Sequence, residues 1–170
     1  DGIVLAPNHR TDFVGLVAEA AAAGIKVIVI DSGMAGNAHH GFVATDNYLA
    51  GRYAGEALLK ALSNRGFGPD LPPAKVALLR YLRDNSSTER REQGFWDALK
   101  DAPVEIVYDD YVGASIGEAF RNSHQLLRSQ SHLDGIFAPN ESSTQGVLRA
   151  LKSQGKLGTI QLVGFDFNDE

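Results

Sequence analysis

Short apolar runs alternate along the chain with stretches whose apolar residues recur at helical spacing. Phe13, Leu16, Val17 and Ala20, for example, fall at positions i, i+3, i+4 and i+7 of one such stretch. The pattern predicts five helices, at 12–23, 47–63, 87–101, 116–130 and 141–154. It predicts seven strands, at 3–6, 26–30, 41–45, 75–82, 104–109, 135–138 and 160–165.

The order of these elements indicates an α/β fold. Residues 26–30 (KVIVI) are apolar or β-branched almost throughout, which is typical of a parallel strand covered on both faces. Strands separated by helices of this length form right-handed crossovers. We therefore expect doubly wound parallel sheets, although the spacing does not say whether there is one sheet or two. The proline-rich stretch 64–73 is the strongest loop signal.

Composition narrows the classes of function. The 170 residues carry a net charge of -5, which disfavours a nucleic-acid or anionic-membrane partner. No apolar run approaches the roughly 18 residues of a membrane span. The absence of cysteine excludes disulfides and thiolate metal sites from this stretch. Because the sequence opens inside a strand, without an initiator Met, we expect an internal piece of a longer protein.

Polar residues stand where several predicted strands end. Asp31 follows 26–30, Asn140 follows 135–138 and Asp166 follows 160–165. Open parallel sheets bind ligands in the crevice beyond the carboxyl ends of their strands, so these residues are candidates for binding a small polar molecule. Each also has a simpler reading, because Asp and Asn favour turns and helix caps.

Arg90 and Arg91 lie early in the helix predicted at 87–101, where the helix dipole disfavours cations. A guanidinium fork suits hydroxyls or a carboxylate. The alternative is a solvated pair of surface charges. Two aromatic residues are candidate platforms for an apolar sugar face: Tyr111 follows a strand, whereas Trp96 sits mid-helix and is expected in the core.

Signatures of catalysis are weak. Residues 113–117 match G-x-S-x-G, but Ser115 does not directly follow a strand and can cap the next helix with Glu118. Ser86 and Glu89 have the same capping-box spacing. No H-E-x-x-H, dinucleotide or phosphate-loop motif is present. We expect no enzyme activity, no cofactor and no metal, with a hydrolase using Ser115 as a distant alternative.

Several stretches together resemble the type I periplasmic sugar-binding proteins of ABC transporters, the ribose-binding-protein-like group. They run in family order and are DGIVLAP, AAAGIKVIVIDS, FVATDNYLAGRYAGEALLKAL, STERREQGFWDAL, LDGIFAPNESSTQGVLRAL and IQLVGFD. The resemblance implies an incomplete two-lobed fold, with 1–45 ending the N-terminal lobe and 46–170 forming most of the C-terminal lobe. It places a hinge at Thr45, Asp46 and Asn47.

By the same resemblance, a monosaccharide or polyol binds between the lobes. The implied ligand-binding residues are Asp31, Arg91, Asn140, Asp166 and, in a looser alignment, Tyr111. Some members carry Asp-Arg where this chain has Asp31-Ser32, so a sugar other than ribose remains open.

The resemblance also implies partners and a location. They are a sugar or polyol ligand, an ABC permease, a monomeric full-length protein and the periplasm, or a membrane-anchored extracellular lipoprotein in a Gram-positive host. The ligand-sensing domain of a LacI-type regulator is the alternative. The G-H-R-x-I and V-P-x-D segments usual in those regulators are absent here.

Overall fold

The structure, a computed structural model, describes residues 1–166. Its strands are β1 Gly2–Leu5, β2 Lys26–Ile30, β3 Gly41–Val43, β4 Ala74–Arg80, β5 Val104–Tyr111, β6 Gly135–Phe137 and β7 Gln161–Val163. Its helices are α1 Val14–Ala22, α2 Asn47–Ser63, α3 Ser86–Leu99, α4 Ile116–Ser129 and α5 Glu141–Ser153. Every predicted element is present; β2 and α2 have the predicted bounds, and the others differ by a few residues at one or both ends.

The strands form two separate parallel sheets. One has the order β1-β2-β3 and the other the order β5-β4-β6-β7. We call β1–β3 with α1 and their loops the N-terminal sheet unit, and β4–β7 with α2–α5 the C-terminal sheet unit. The predicted α/β class with parallel sheets is confirmed, and the question of one sheet or two is answered.

Strand β4 shows why helices cover both faces of the second sheet. Its side chains alternate: Ala77 and Leu79 enter one core cluster with residues of α4 and α5, whereas Val76 and Leu78 enter another with residues of α2 and α3. Each of these four residues is fully buried. A strand buried on both faces must be apolar on both, which explains the nearly continuous run AKVALL.

Helices α2 and α3 pack very closely, and glycines make this possible. A Cβ atom on Gly94 would lie 2.0 Å from the Tyr48 carbonyl oxygen, and one on Gly51 would lie 2.0 Å from that of Arg91. Neither position can carry a side chain without separating the helices. The contact therefore holds the backbone of Arg91 directly against α2.

Two capping predictions have different outcomes. Ser115 does cap α4, and both halves of the capping box with Glu118 are formed. Ser86 does not cap α3, because Asn85 occupies that position and its side chain accepts from the Thr88 N–H. Asn and Ser cap helices about equally well, so sequence did not distinguish them. Glu89 Oε1 instead accepts from the Asp84 N–H at 2.9 Å.

Candidate functional site

Arg91 is the centre of the candidate site. It lies in the second turn of α3 and is only 7% exposed. Its Nε donates to Asn47 Oδ1 and its Nη1 donates to the Pro139 carbonyl oxygen, each at 2.8 Å. These partners fix the guanidinium at the point where the starts of α2 and α5 approach α3. Arg91 is therefore not the solvated surface charge of the alternative reading, whereas Arg90 is exposed and donates to Gln93.

Opposite charges and an aromatic ring surround this buried cation. Nη1 of Arg91 is 3.7 Å from Asp166 Oδ2, and its Cζ is 4.1 Å from the ring centroid of Phe165. Burial lowers the pKa of Arg91, while the charges of Asp166 and Asp31 raise it. An arginine keeps its proton under such opposing effects. The site thus contains one fixed cation facing two carboxylates.

Asp31 and Asp166 lie shortly after the strands β2 and β7, and both have left-handed backbone, with φ of 63 and 65 degrees. Asp31 follows β2, and its N–H donates to the Val43 carbonyl oxygen at 3.0 Å. Asp166 follows β7, and its Oδ2 accepts from the Glu141 N–H at 3.2 Å. Both residues are exposed. Their carboxylates therefore have oxygens accessible for hydroxyl donors.

Asn140 is a helix cap, and it directly follows Pro139, which contacts Arg91. Its side chain accepts from the Ser143 N–H at 3.2 Å, which completes a capping box at the start of α5. Its Nδ2 donates to Ser142 Oγ at 3.3 Å. Residues on either side of it hold the cluster together, since Pro139 accepts from Arg91 and Glu141 donates to Asp166. We refer to Asp31, Asn47, Arg91, Asn140, Phe165 and Asp166 as the Arg91 cluster.

The two aromatic candidates lie elsewhere. Tyr111 ends β5, at the sheet edge opposite β7, and the guanidinium of Arg83 stacks 4.3 Å above its ring. That stacking covers one ring face, and no contact described in residues 1–166 joins Tyr111 to the Arg91 cluster. Trp96 is 38% exposed, so the expectation that it lies in the core is wrong. Helix α3 buries Phe95 instead, which stacks on Phe137 with centroids 4.2 Å apart.

The predicted hinge residues connect β3 to α2. Thr45 is exposed, and Asp46 caps α2 by accepting from the Leu49 N–H at 3.0 Å. Asn47 begins α2 and is 8% exposed. Its hydrogen bond to Arg91 makes it part of the Arg91 cluster as well as of the connection. Nothing in the sequence pointed to this second role.

Phe165 is the other residue of the cluster that sequence analysis missed. It stacks on Arg91 and meets Phe137 edge-on at 6.2 Å. A signal was present, because it directly precedes Asp166 in the stretch VGFD that follows a strand. Its contacts show that it supports the Arg91 guanidinium and joins the cluster to the core.

Other chemistries find less support among the described residues. Ser115 Oγ donates to Glu118 Oε2 at 2.8 Å, as part of the helix cap. Within residues 1–166, no three His, Asp or Glu side chains form a group that could hold a metal ion. In the same stretch, no helix combines the length and apolar character needed to cross a bilayer.

Two adjoining grooves lie at the opposite end of the second sheet. Their volumes are about 410 and 340 Å³, and their shared lining is Arg65, Phe67, His132 and Asp134. Asp134 directly precedes β6, so these grooves open at the amino ends of the strands. Ligand sites of open parallel sheets lie at the carboxyl ends. The Arg91 cluster is therefore the better candidate.

Comparisons with known proteins identify the family to which this fold belongs. The family described as periplasmic binding protein domain matches residues 1–170. The ribose import binding protein RbsB of Haemophilus influenzae is 28% identical over 86% of this chain and 47% of the relative. The D-ribose/D-allose-binding protein of Pseudomonas aeruginosa is 28% identical over 98% of this chain and 51% of the relative. The chain thus spans about half the length of these curated relatives.

Solved structures of similar fold also include components of sugar transport systems. The periplasmic component of an ABC-type sugar transport system from Hahella chejuensis has a TM-score of 0.89 and 40% identity, over 98% of this chain and 58% of that one. An ABC transporter solute-binding protein from Agrobacterium vitis, solved with bound D-fucose, has a TM-score of 0.89 and 32% identity, over 99% of this chain and 57% of that one.

Proposed function

The chain belongs to the periplasmic binding protein domain family, and from that premise we propose that it captures a monosaccharide or polyol as the solute receptor of an ABC importer. The observation that carries the proposal is the Arg91 cluster. It contains a buried cation, two exposed carboxylates and an amide at the carboxyl ends of strands from both sheets. The ligands named for the relatives, ribose, allose and D-fucose, have the hydroxyl groups that such a site would bind.

The chemistry of the cluster matches hydroxyl groups well. A hydroxyl both donates and accepts a hydrogen bond, so it pairs with a carboxylate on one side and a guanidinium or amide on the other. Hydrogen bonds to charged groups are the stronger ones, and they gain further strength when water is excluded. Phe165 packs its ring against the Arg91 guanidinium and so helps to hold it in place. Binding is then capture without a chemical step.

The same proposal divides the chain into two lobes. Residues 1–45 would belong to the N-terminal lobe and 46–170 to the C-terminal lobe, with the hinge at 45–47. Asp31 then reaches the ligand from one lobe, while Arg91, Asn140 and Asp166 reach it from the other. A ligand held from both sides favours the closed arrangement, because the open one offers only part of these contacts.

Membership of this family supports a proposal for the partners and the location. The closed receptor would deliver its ligand to an ABC permease in the membrane, and the protein would act in the periplasm as a monomer. In a Gram-positive host it would instead be an extracellular lipoprotein. The LacI-type regulator is less favoured, because the relatives and solved structures reported above are named as sugar-binding proteins or as components of ABC transport systems. The hydrolase has little support, since those relatives are binding proteins and Ser115 is a helix cap.

The test is calorimetric titration of the full-length protein with D-ribose, D-allose, D-fucose and sugar alcohols. Arg91→Lys keeps the charge but loses the planar fork of donors. We expect it to weaken binding of the tightest ligand by about 1.5 kcal/mol or more, roughly tenfold. Arg90→Lys is the matched control on the adjacent, exposed residue and should bind as the wild type does. Equal affinity of wild type and Arg91→Lys would remove Arg91 from the site.

A further inference from the structure

Besides the Arg91 cluster, the two sheet units meet at the first turn of α3. The loop after β1 reaches it through two hydrogen bonds. Asn85 Nδ2 donates to the Asn8 carbonyl oxygen at 3.0 Å, and the Arg10 N–H donates to the Asp84 carbonyl oxygen at 3.2 Å. None of the protein atoms in these bonds belongs to the Arg91 cluster.

The loop after β2 adds a buried relay of hydroxyl groups. Ser32 Oγ donates to Ser87 Oγ at 2.8 Å, and Ser87 Oγ donates to Asn85 Oδ1 at 2.9 Å. Ser32, Ser87 and Asn85 are 1%, 6% and 4% exposed. Hydrogen bonds in such a dry environment are stronger than exposed ones. Ser32 is also too deeply buried to offer its hydroxyl to a ligand while this bond is made.

A salt bridge lies beside the relay. Arg10 Nη2 is 2.8 Å from Glu89 Oε2, and the two side chains are 44% and 30% exposed. An ion pair this exposed contributes little, because solvent screens it. The buried bonds of Asn85 and Ser32 are therefore the ones to test.

The side chain of Asn85 makes two kinds of hydrogen bond. Its Oδ1 caps α3 by accepting from the Thr88 N–H at 3.1 Å, while its Nδ2 reaches across to the other sheet unit. Arg91 lies fewer than two turns further along the same helix. The contact that joins the sheet units is thus made by the residue that fixes the start of the helix carrying the central arginine.

We propose that Asn8, Ser32, Asn85 and Ser87 form a latch that holds the two sheet units together before any sugar binds, and so positions Asp31 opposite Arg91. The latch makes the closed arrangement a populated state of the ligand-free protein. A ligand that binds only the closed arrangement has an apparent Kd equal to its intrinsic Kd divided by the closed fraction. The latch residues therefore set affinity without touching the ligand. This effect on affinity rests on the proposed function, but closure without ligand does not.

The sharpest variant is Asn85→Asp in the full-length protein. Aspartate caps a helix as well as asparagine does and still accepts from Thr88 and Ser87. It loses only the donor to Asn8 and places a carboxylate oxygen against that carbonyl. Asn122→Asp is the matched control, because Asn122 Nδ2 also donates to a backbone carbonyl at 3.0 Å, that of Val112, within one sheet unit. Ser32→Ala is an independent variant that adds no charge.

The measurement is the distance between spin labels on exposed residues of the two units, introduced by Glu19→Cys and Gln125→Cys, by double electron–electron resonance. Without sugar, Asn85→Asp and Ser32→Ala should lengthen the distance, and Asn122→Asp should leave it unchanged. With D-ribose or D-allose at saturation, all should return to the short distance, with Kd raised roughly three- to tenfold for the first two.

The outcomes separate the two proposals. Ligand-free distances in Asn85→Asp and Ser32→Ala that equal the wild-type distance would overturn the latch. A lengthened distance in both, together with no binding of any sugar tested, would support the latch and refute the sugar receptor. A change of the same size in Asn122→Asp would mean that the lost bond matters only for folding, and would also overturn the latch.

Discussion

Asp31 and Asp166 both have left-handed backbone, with φ of 63 and 65 degrees. Asp is one of the few residues other than glycine that enters this region often, but it still carries some strain there. The sequence predicted that both residues follow strands, and the structure places them there, whereas their binding of a ligand stays a prediction. Their backbone conformation could not be predicted, because it depends on how each strand leaves its sheet. Likewise, Arg91 could be singled out, but its partners Asn47 and Pro139 are 44 and 48 residues away in sequence.

Glu92, next to Arg91, gives a prediction about pH. It is 1% exposed, and its Oε2 accepts from Arg80 Nη1 at 2.7 Å. Burial raises the pKa of Glu92 from 4.5 to about 7, although Arg80 opposes the rise. A carboxyl with a raised pKa in the folded state stabilises the fold at low pH, and this contribution is lost as the pH rises through about 7.

Glu92→Gln should therefore flatten the dependence of stability on pH. Between pH ~5 and pH ~8 the wild type should lose up to about 3 kcal/mol of unfolding free energy through this one group, whereas the uncharged glutamine should lose none of it. Thermal melting of the full-length protein at several pH values is the measurement, and the difference between variant and wild type removes the effect of the other titrating groups. If the melting temperatures of wild type and Glu92→Gln changed equally with pH across this range, the raised pKa of Glu92 would be contradicted.

At the scale of elements, periodicity predicted most of the fold. Helix α2 begins and ends where it was predicted, and the predicted ends of α4 and α5 are each one residue too long. Helix α1 is shorter than predicted, beginning at Val14 without a side-chain cap. The division into two sheets could not be read from spacing, because β3 and β4 follow each other around α2 without pairing. The close contact of α2 with α3 could not be predicted from the sequence either. A glycine inside a helix usually indicates only a less stable helix and does not show which neighbour approaches it.

That contact gives a prediction about Gly94. Its Cβ would overlap the Tyr48 carbonyl oxygen, so Gly94→Ala must push α3 away from α2 and move Arg91 from Asn47. We expect a loss of about 1–3 kcal/mol in stability, as for other overpacked contacts, together with weaker sugar binding. Denaturation and titration of the full-length protein measure both.

Gly117 is the matched control. It also lies within a helix, α4, but a Cβ there would meet only the end of the Arg121 side chain at 3.5 Å. Gly117→Ala, in the first turn of α4, should therefore change stability by no more than about 0.5 kcal/mol. If Gly94→Ala behaved as Gly117→Ala does, the helix contact would not be what positions Arg91.

At the scale of the whole molecule, the two sheet units bring together the residues that we propose to bind the ligand, Asp31 from one unit and Arg91 from the other. Asp31 and the latch residue Ser32 follow the same strand, so one loop contributes both to the candidate site and to the contact with α3.

The N-terminal sheet unit also leaves Val4, Phe42 and Val43 exposed at 69%, 51% and 66%. For a chain that spans about half the length of its curated relatives, the full-length protein is the right object for every measurement of binding and closure.

The most direct test of the central claim is a crystal structure of the full-length protein with the sugar that calorimetry identifies as its tightest ligand. We predict one sugar molecule between the sheet units, with hydroxyl groups bonded to Asp31 on one side and to Arg91, Asn140 and Asp166 on the other. A sugar bound elsewhere, or one that contacts only the C-terminal sheet unit and leaves Asp31 in solvent, would contradict the account.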